Sequence, residues 1–384
     1  MSAARAIASA LDARAQMNTD RSRSTSVATV VDALDYGPRW FRAWFQGGYE
    51  TLVRRSPRLW GALYRGSDRP GILYAVQTAL DTLCMRRLQA AIEVEPPDWV
   101  VCTHSLPQPR LGLMRRRRPA RGPRVAVVVT DLHPHRMWLR GSPDRYFVPH
   151  ELTRERLERR RPGSAGIASV TGIPVDPACA AAMSGAEAGT GGAAPSSRPG
   201  RKDGAPSVLL MSGGIGGGPI CEAMEALLAP GADRAPARVT VVCGRNARAH
   251  ASCLAALTAQ RPPEGARAYV HALGYVPHDE FLRLLRASDI LIGKPGGATM
   301  AEALACGVPM VIYRPMLIPG QEEDNADCLV QAGAGVEATD PNDLRRTVHQ
   351  LLSTPDRLTQ MQASALAAAR PRAALDIADA LLAS

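Results

Sequence analysis

The second half of the chain repeats one unit: a short, almost continuous apolar run, a turn of glycine or polar residues, then a stretch with helical spacing. The runs are residues 208–211 (VLLM), 239–243 (VTVVC), 290–292 (ILI) and 308–313 (VPMVIY). They are too short for buried helices and lack the apolar/polar alternation of a half-exposed strand, so they read as strands covered on both faces. Strands of that kind, separated by helices, predict a parallel, Rossmann-like sheet. At 384 residues the chain exceeds what one core usually holds, and a second domain is expected. Residues 28–31, 99–102, 125–129 and 169–171 are its strand candidates. Between the halves, residues 178–206 are rich in Ala, Gly, Ser and Pro and poor in large apolar side chains, which predicts a linker. The division is therefore 1–177, 178–206 and 207–384.

Charge is unevenly placed. Of the +10 total, residues 1–161 carry 28 Arg against 15 Asp and Glu, while the remainder has 18 basic and 21 acidic residues. A basic first half suits phosphates of any source. The eight cysteines are scattered, with no CxxC pair, and read as reduced core residues. No apolar run reaches the ~18 residues of a membrane span, and no signal peptide is apparent. The expectation is a cytoplasmic protein, peripheral to the inner face of the cell membrane.

Two turns carry the chemistry. In VLLMSGGIGGGPICEAMEALL, Gly213, Gly214, Gly216, Gly217 and Gly218 lie between a strand and a helix, where glycine admits close backbone approach and a helix N-terminus favours an anion. A tight structural turn is the alternative. In the second, Lys294 precedes Pro295, Gly296 and Gly297, and Thr299 is placed to cap the next helix. Glu302 follows on the same face, where a carboxylate would accept both hydroxyls of a ribose; a solvated surface charge is the plainer reading. Gln321, Glu322, Glu323 and Asn325 then follow a strand, as the planar hydrogen-bonding groups that sugar hydroxyls require.

These segments, with VVCGRN (241–246), LGYVPHDEF (273–281), KPGGATMAEALACGVPMVI (294–312) and PGQEEDNA (319–326), resemble the C-terminal domain of one glycosyltransferase family. It contains monogalactosyldiacylglycerol synthases, bacterial diacylglycerol glucosyltransferases and the peptidoglycan N-acetylglucosaminyltransferase. The resemblance implies a GT-B fold, two Rossmann-like domains facing a cleft, and a UDP-sugar co-substrate with no other cofactor and no metal. It implies uracil at the backbone of Val276, ribose at Glu302, diphosphate at the glycine turns, donor sugar at Gln321 and Glu322, and Arg245 near the nucleotide.

The first half matches through PDWVVCTHS (97–105), DRYFVPHE (144–151), VTGIPVDP (170–177) and a TDxxxHxxW pattern formed by Thr130, Asp131, His135 and Trp138. These resemble the lipid-glycosylating branch, which implies a diacylglycerol-like acceptor and an inverting hexosyl transfer. Asp131 and His135 are its candidate catalytic groups, His135 shuttling a proton or binding a headgroup, or else pinning a loop. Members carry a GGGH-like loop before a helix resembling residues 2–11, whereas here the sequence opens on that helix. A late start, a shortened chain or lost activity would each produce this; a late start is preferred, and an inactive nucleotide- or lipid-binding homologue is the alternative function.

Residues 36–64 hold eight of the 17 aromatic side chains, interleaved with Arg39, Arg42, Arg54, Arg55 and Arg58. Trp40, Phe41, Trp44, Phe45, His104 and the run Arg115, Arg116, Arg117 and Arg118 are the candidate contacts to an anionic membrane or acceptor, with domain core the alternative for the aromatics. No recognition module for nucleic acid is present, and none is expected as a partner.

Overall fold

The computed structural model describes residues 2–17, 28–48, 51–52, 56–117, 122–176, 179, 205–229, 237–259 and 270–383. Apart from Cys179, Ala205 and Pro206, the expected linker lies outside them. So do Arg54, Arg55 and Arg118.

Ten strands are described: β1 (Trp99–Cys102), β2 (Arg124–Val128), β3 (Arg145–Val148), β4 (Ala168–Val170), β5 (Ser207–Met211), β6 (Arg238–Val242), β7 (Val270–Leu273), β8 (Ile290–Gly293), β9 (Met310–Tyr313) and β10 (Gly335–Ala338). They make two all-parallel sheets, one ordered β1-β2-β3-β4 and the other β10-β9-β8-β5-β6-β7. Residues 28–31, expected as a strand, are irregular and half exposed, since no neighbour pairs with them. Three strands escaped the sequence reading: β3, β7 and β10 are four residues each, and periodicity is weak over so short a length.

Contacts group residues 1–177 with 319–321 and 370–384 as one unit, and 178–318 with 322–369 as the other. The sequence division assigned 370–384 to the second domain. Packing of the helix Ala373–Leu382 on Ser2–Met17 explains the difference. Ala6, Ala10, Ala374 and Ala378 bring the two backbones close, while Ile7, Ile377 and Leu381 pack with Ala126, Val128 and Phe147 of the sheet. The buried face of the first helix is Ala3, Ala6, Ile7 and Ala10. Arg14 closes the pair through Asp379 at 2.7 Å.

In the second unit the order is the doubly wound one, with the switch of direction between β5 and β8. Met211 at the end of β5 is in register with Gly293 at the end of β8. A Cβ on Gly293 would stand 2.1 Å from the Met211 carbonyl oxygen, so the two strands deliver their following loops side by side.

Candidate functional site

Ligands of open α/β sheets bind beyond the carboxyl ends of the strands at the switch point, because the loops there diverge and leave a crevice. In the second unit those loops are the predicted ones. The loop after β5 contains Gly213, Gly216 and Gly218, with φ of 68°, 68° and 78°. It rests on the turn after β6: the Arg245 N–H donates to Gly214 O at 3.0 Å, and Asn246 Nδ2 donates to Gly216 O at 2.8 Å. A Cβ on Gly216 would meet Cys243 O at 1.9 Å, whereas at Gly214 and Gly217 it would meet nothing within 4 Å. The first glycine is thus required by the protein's own packing, and the other two leave an open face.

After β8, Lys294 reaches across both loops. Its Cε comes within 3.5 Å of the Cβ position at Gly213, and its Nζ lies 2.5 Å from Glu322 Oε1. Glu322 is buried, and its other oxygen accepts from the Ile318 N–H at 3.0 Å. Asn325, also buried, donates to Pro295 O at 2.8 Å. These two residues hold the second glycine turn, with Gly296 preceding and Gly297 opening the helix Gly297–Ala305. Thr299 does not cap that helix: the cap position falls on Gly296, which has no side chain to donate or accept. The first-turn N–H groups are those that every helix leaves without intrahelical partners.

Glu302 is 3% exposed, which excludes a solvated surface charge. His278 Nε2 stands 3.3 Å from its Oε1. Arg245 lies over the Tyr275 ring at 5.1 Å, beside Val276 and the start of the helix His278–Arg286. Gln321 falls in the other unit by contacts, and its Oε1 is buried without a hydrogen-bond partner among the described residues. Asn246 and His278 stand inside motifs that sequence reasoning had marked, yet neither had been singled out. Their signal was position, directly after a strand and at a helix start.

The first unit organises its polar groups around a residue the sequence did not flag, Asp68. It accepts from the Arg136 N–H at 2.7 Å, pairs with His133 Nε2 at 3.1 Å and receives both Arg160 terminal nitrogens at 2.7 and 2.9 Å. Burial alone would raise its carboxyl, but the bonds from His133, Arg160 and Arg136 hold it well below the carboxylate range. His135 is only 1% exposed. Its Nδ1 accepts from the Met137 N–H at 3.2 Å, so Nε2 carries the proton and donates to Tyr64 O at 2.9 Å. Burial pushes its pKa down despite that carbonyl and Asp68, leaving a neutral imidazole with both nitrogens occupied by backbone. This geometry ties the loop down through both imidazole nitrogens. Asp131 accepts from the indole N–H of Trp138 at 3.2 Å.

The candidate membrane residues separate. Phe41 lies in the first-unit core, and Phe45 packs against it, so the core alternative holds for these two. Trp40 and Trp44 are exposed, Trp44 by 63%. Arg115 is bound to Asp144 at 2.5 and 2.7 Å, whereas Arg116 and Arg117 are exposed. His104 is exposed near Phe45 and accepts from the Leu106 N–H at 3.1 Å. Among the described residues no helix is long and apolar enough to cross a membrane, and no three His, Cys, Asp or Glu side chains are grouped for a metal.

The Asp68 and His135 network predicts a pH dependence. The unfolded chain protonates a histidine near pH ~6.5, where the folded chain resists, so stability falls as pH drops below that value. A second loss begins below pH ~4, where the unfolded Asp68 takes up a proton that the folded network excludes. Urea midpoints measured across this range should show both limbs in the wild type and lose the acidic one in Asp68→Asn.

Comparison with known proteins gives two matches along the chain. Residues 1–175 match the family model described as monogalactosyldiacylglycerol (MGDG) synthase, and residues 220–367 that of glycosyl transferases group 1. The processive diacylglycerol beta-glucosyltransferase of Bacillus pumilus is 30% identical over 284 residues, covering 72% of this chain and 66% of its own length. The chloroplastic monogalactosyldiacylglycerol synthase 3 of Arabidopsis thaliana is 28% identical over 341 residues, covering 86% and 68%. This chain therefore spans about two thirds of the length of such relatives. In structure it is similar to Acinetobacter baumannii MurG, with TM-score 0.52, 16% identity and 82% of each chain covered. It is also similar to a UDP-forming trehalose-phosphate synthase from Burkholderia xenovorans, with TM-score 0.52, 12% identity and coverage of 89% and 84%.

Proposed function

We propose, on the premise that this chain belongs to the glycosyltransferase family of the monogalactosyldiacylglycerol synthases and diacylglycerol glucosyltransferases, that it transfers a hexosyl unit from a UDP-sugar to a diacylglycerol-like lipid. Its fold is GT-B. The observation that carries the reading is the convergence of four loops at the switch point of the second sheet, with Lys294 reaching two of them.

The diphosphate is assigned to the open faces at Gly214 and Gly217, to the helix start at Gly297 and to Lys294. Glu302, buried and held by His278, is assigned to the ribose, and the Tyr275–Val276 backbone to the uracil. As an acceptor hydroxyl gives up its proton to a base and its oxygen attacks the anomeric carbon, the bond to the β-phosphate oxygen breaks and charge grows on UDP. Fixed N–H groups and an ammonium stabilise that charge without reorganising, because their positions are set by the fold. The transfer is taken as inverting, a single displacement with UDP leaving from the opposite face. His135 and Asp131 act here as positioning residues that set the loop bearing His133.

Because protein groups neutralise the diphosphate in this assignment, UDP binding measured by calorimetry should persist in the presence of a chelator. Incubation with each radiolabelled UDP-sugar and a total lipid extract should give a labelled lipid with one donor. UDP binding without product from any donor would favour the inactive, nucleotide-binding homologue.

A further inference from the structure

Of the eight histidines in the chain, four lie in the first unit: His104, His133, His135 and His150. Three of them use Nδ1 in the same way, to accept the backbone N–H two residues ahead: Leu106 for His104, Met137 for His135 and Leu152 for His150. A ring nitrogen that accepts carries no proton, so each of the three is held as the Nε2–H tautomer with its basic nitrogen taken up by the fold. His133 is bound differently. Its Nε2 stands 3.1 Å from Asp68 Oδ2, and its side chain keeps 24% of its surface exposed.

Asp68 is a fixed carboxylate. It is the C-cap residue of the helix Pro57–Ser67, and it is clamped by Arg160, the last residue of the helix Glu151–Arg160, and by the Arg136 N–H. These bonds and the one from His133 keep its carboxyl ionised well below the usual carboxylate range. An ionised carboxylate only accepts, so the proton between the two side chains belongs to His133 Nε2, and Nδ1 of the neutral ring carries the lone pair. A second proton taken up at Nδ1 makes an imidazolium, which Asp68 and the carbonyl end of the helix Pro57–Ser67 stabilise and Arg160 opposes. His133 also stands in the loop that leaves the carboxyl end of β2, where open α/β sheets bind their ligands. An imidazole oriented by a carboxylate at such a place is suited to take a proton from a hydroxyl near neutral pH.

We infer that His133 is the general base for the acceptor hydroxyl, with Asp68 as the positioning residue that fixes its tautomer and orientation. This rests on the transfer to a lipid hydroxyl proposed above. In the step, the acceptor O–H bond breaks and its proton passes to His133 Nδ1. The electron pair left on the oxygen forms the bond to the anomeric carbon, and the bond from that carbon to the β-phosphate oxygen breaks with its pair staying on UDP. The imidazolium then returns its proton to solvent, so the products are the glycosylated lipid, UDP and one proton.

The test is steady-state transfer by the full chain as a function of pH, with calorimetric UDP binding and a melting curve for each variant. His133→Gln keeps an N–H donor for Asp68 but has no basic nitrogen. Its kcat should fall by roughly 10²- to 10⁴-fold, while UDP affinity and the melting midpoint stay near those of the wild type, because the groups assigned to the diphosphate and ribose belong to the second unit. The charged and titratable groups around His133 are Asp68, Arg136, Arg160 and His135, and two of them allow shifts of opposite sign. In Asp68→Asn the imidazolium loses its counter-charge, so the acidic limb of kcat/KM should move to lower pH by about one pH unit. In Arg160→Gln it loses a like charge, and the limb should move to higher pH. A network that only braces the fold would lower the rate and leave the limb in place. A limb that stays put or moves the same way in both variants, or wild-type turnover in His133→Gln, would overturn this assignment alone. No transfer by the wild type from any UDP-sugar would overturn it together with the reading beneath it.

Discussion

Lys294→Ala should lower glycosyl transfer by roughly 10²- to 10³-fold, the usual cost of removing one fixed donor from a site of developing negative charge. Two effects are combined in that variant. Lys294 is the ion-pair partner of Glu322, whose side chain is almost wholly buried. Removing the ammonium leaves that carboxylate with the Ile318 N–H, and an uncompensated buried charge destabilises a fold by about 3–5 kcal/mol at the upper end. Lost activity alone would not distinguish a role on the diphosphate from a role on Glu322. The double variant Lys294→Ala/Glu322→Gln separates them, because it removes the stranded charge along with the lysine. Its thermal midpoint should return toward the wild type, while kcat stays low and Lys294→Arg recovers part of the rate. Full recovery of turnover in the double variant would falsify the assignment of Lys294 to the leaving diphosphate.

Gly216→Ala and Gly217→Ala should differ sharply although they are neighbours. At Gly216 the backbone is left-handed, which costs an alanine roughly 1–2 kcal/mol, and the new Cβ would stand 1.9 Å from a carbonyl that belongs to the adjoining strand end. Neither strand end can yield without disturbing the β5–β6 pairing, so the loop itself must shift. The expected result is a lower thermal midpoint and UDP affinity reduced by at least about tenfold. At Gly217 the Cβ meets nothing, and φ is not in the left-handed range. The midpoint should therefore stay unchanged, and any loss of UDP affinity reports on the ligand alone. Calorimetric titration of UDP, with a melting curve for each variant, decides the matter. Unchanged affinity in Gly217→Ala would remove that face from the diphosphate site.

The sequence by itself determined four of the six strands of the second sheet and the two glycine turns, because both follow from local chemistry. An almost continuous β-branched run has few conformations other than a buried strand, and glycine clusters between strand and helix mark where a chain turns tightly. It also determined the family, since motifs such as KPGGATMAEALACGVPMVI are long enough to be specific. The tertiary structure decided what each side chain faces. Phe41 and Trp44 are close in sequence and alike in chemistry, yet one is core and the other exposed, since helix phase rather than residue type selects the buried face. Arg115 and Arg117 part in the same way, the first bound to Asp144 and the second lining a cavity. The partners that occupy both nitrogens of His135, Tyr64 O and Met137 N, lie 71 and 2 residues away, and the first of them only folding supplies. Asp68 carried no signal at all along the chain. Its importance comes from Arg160, 92 residues distant, and only folding brings that pair together.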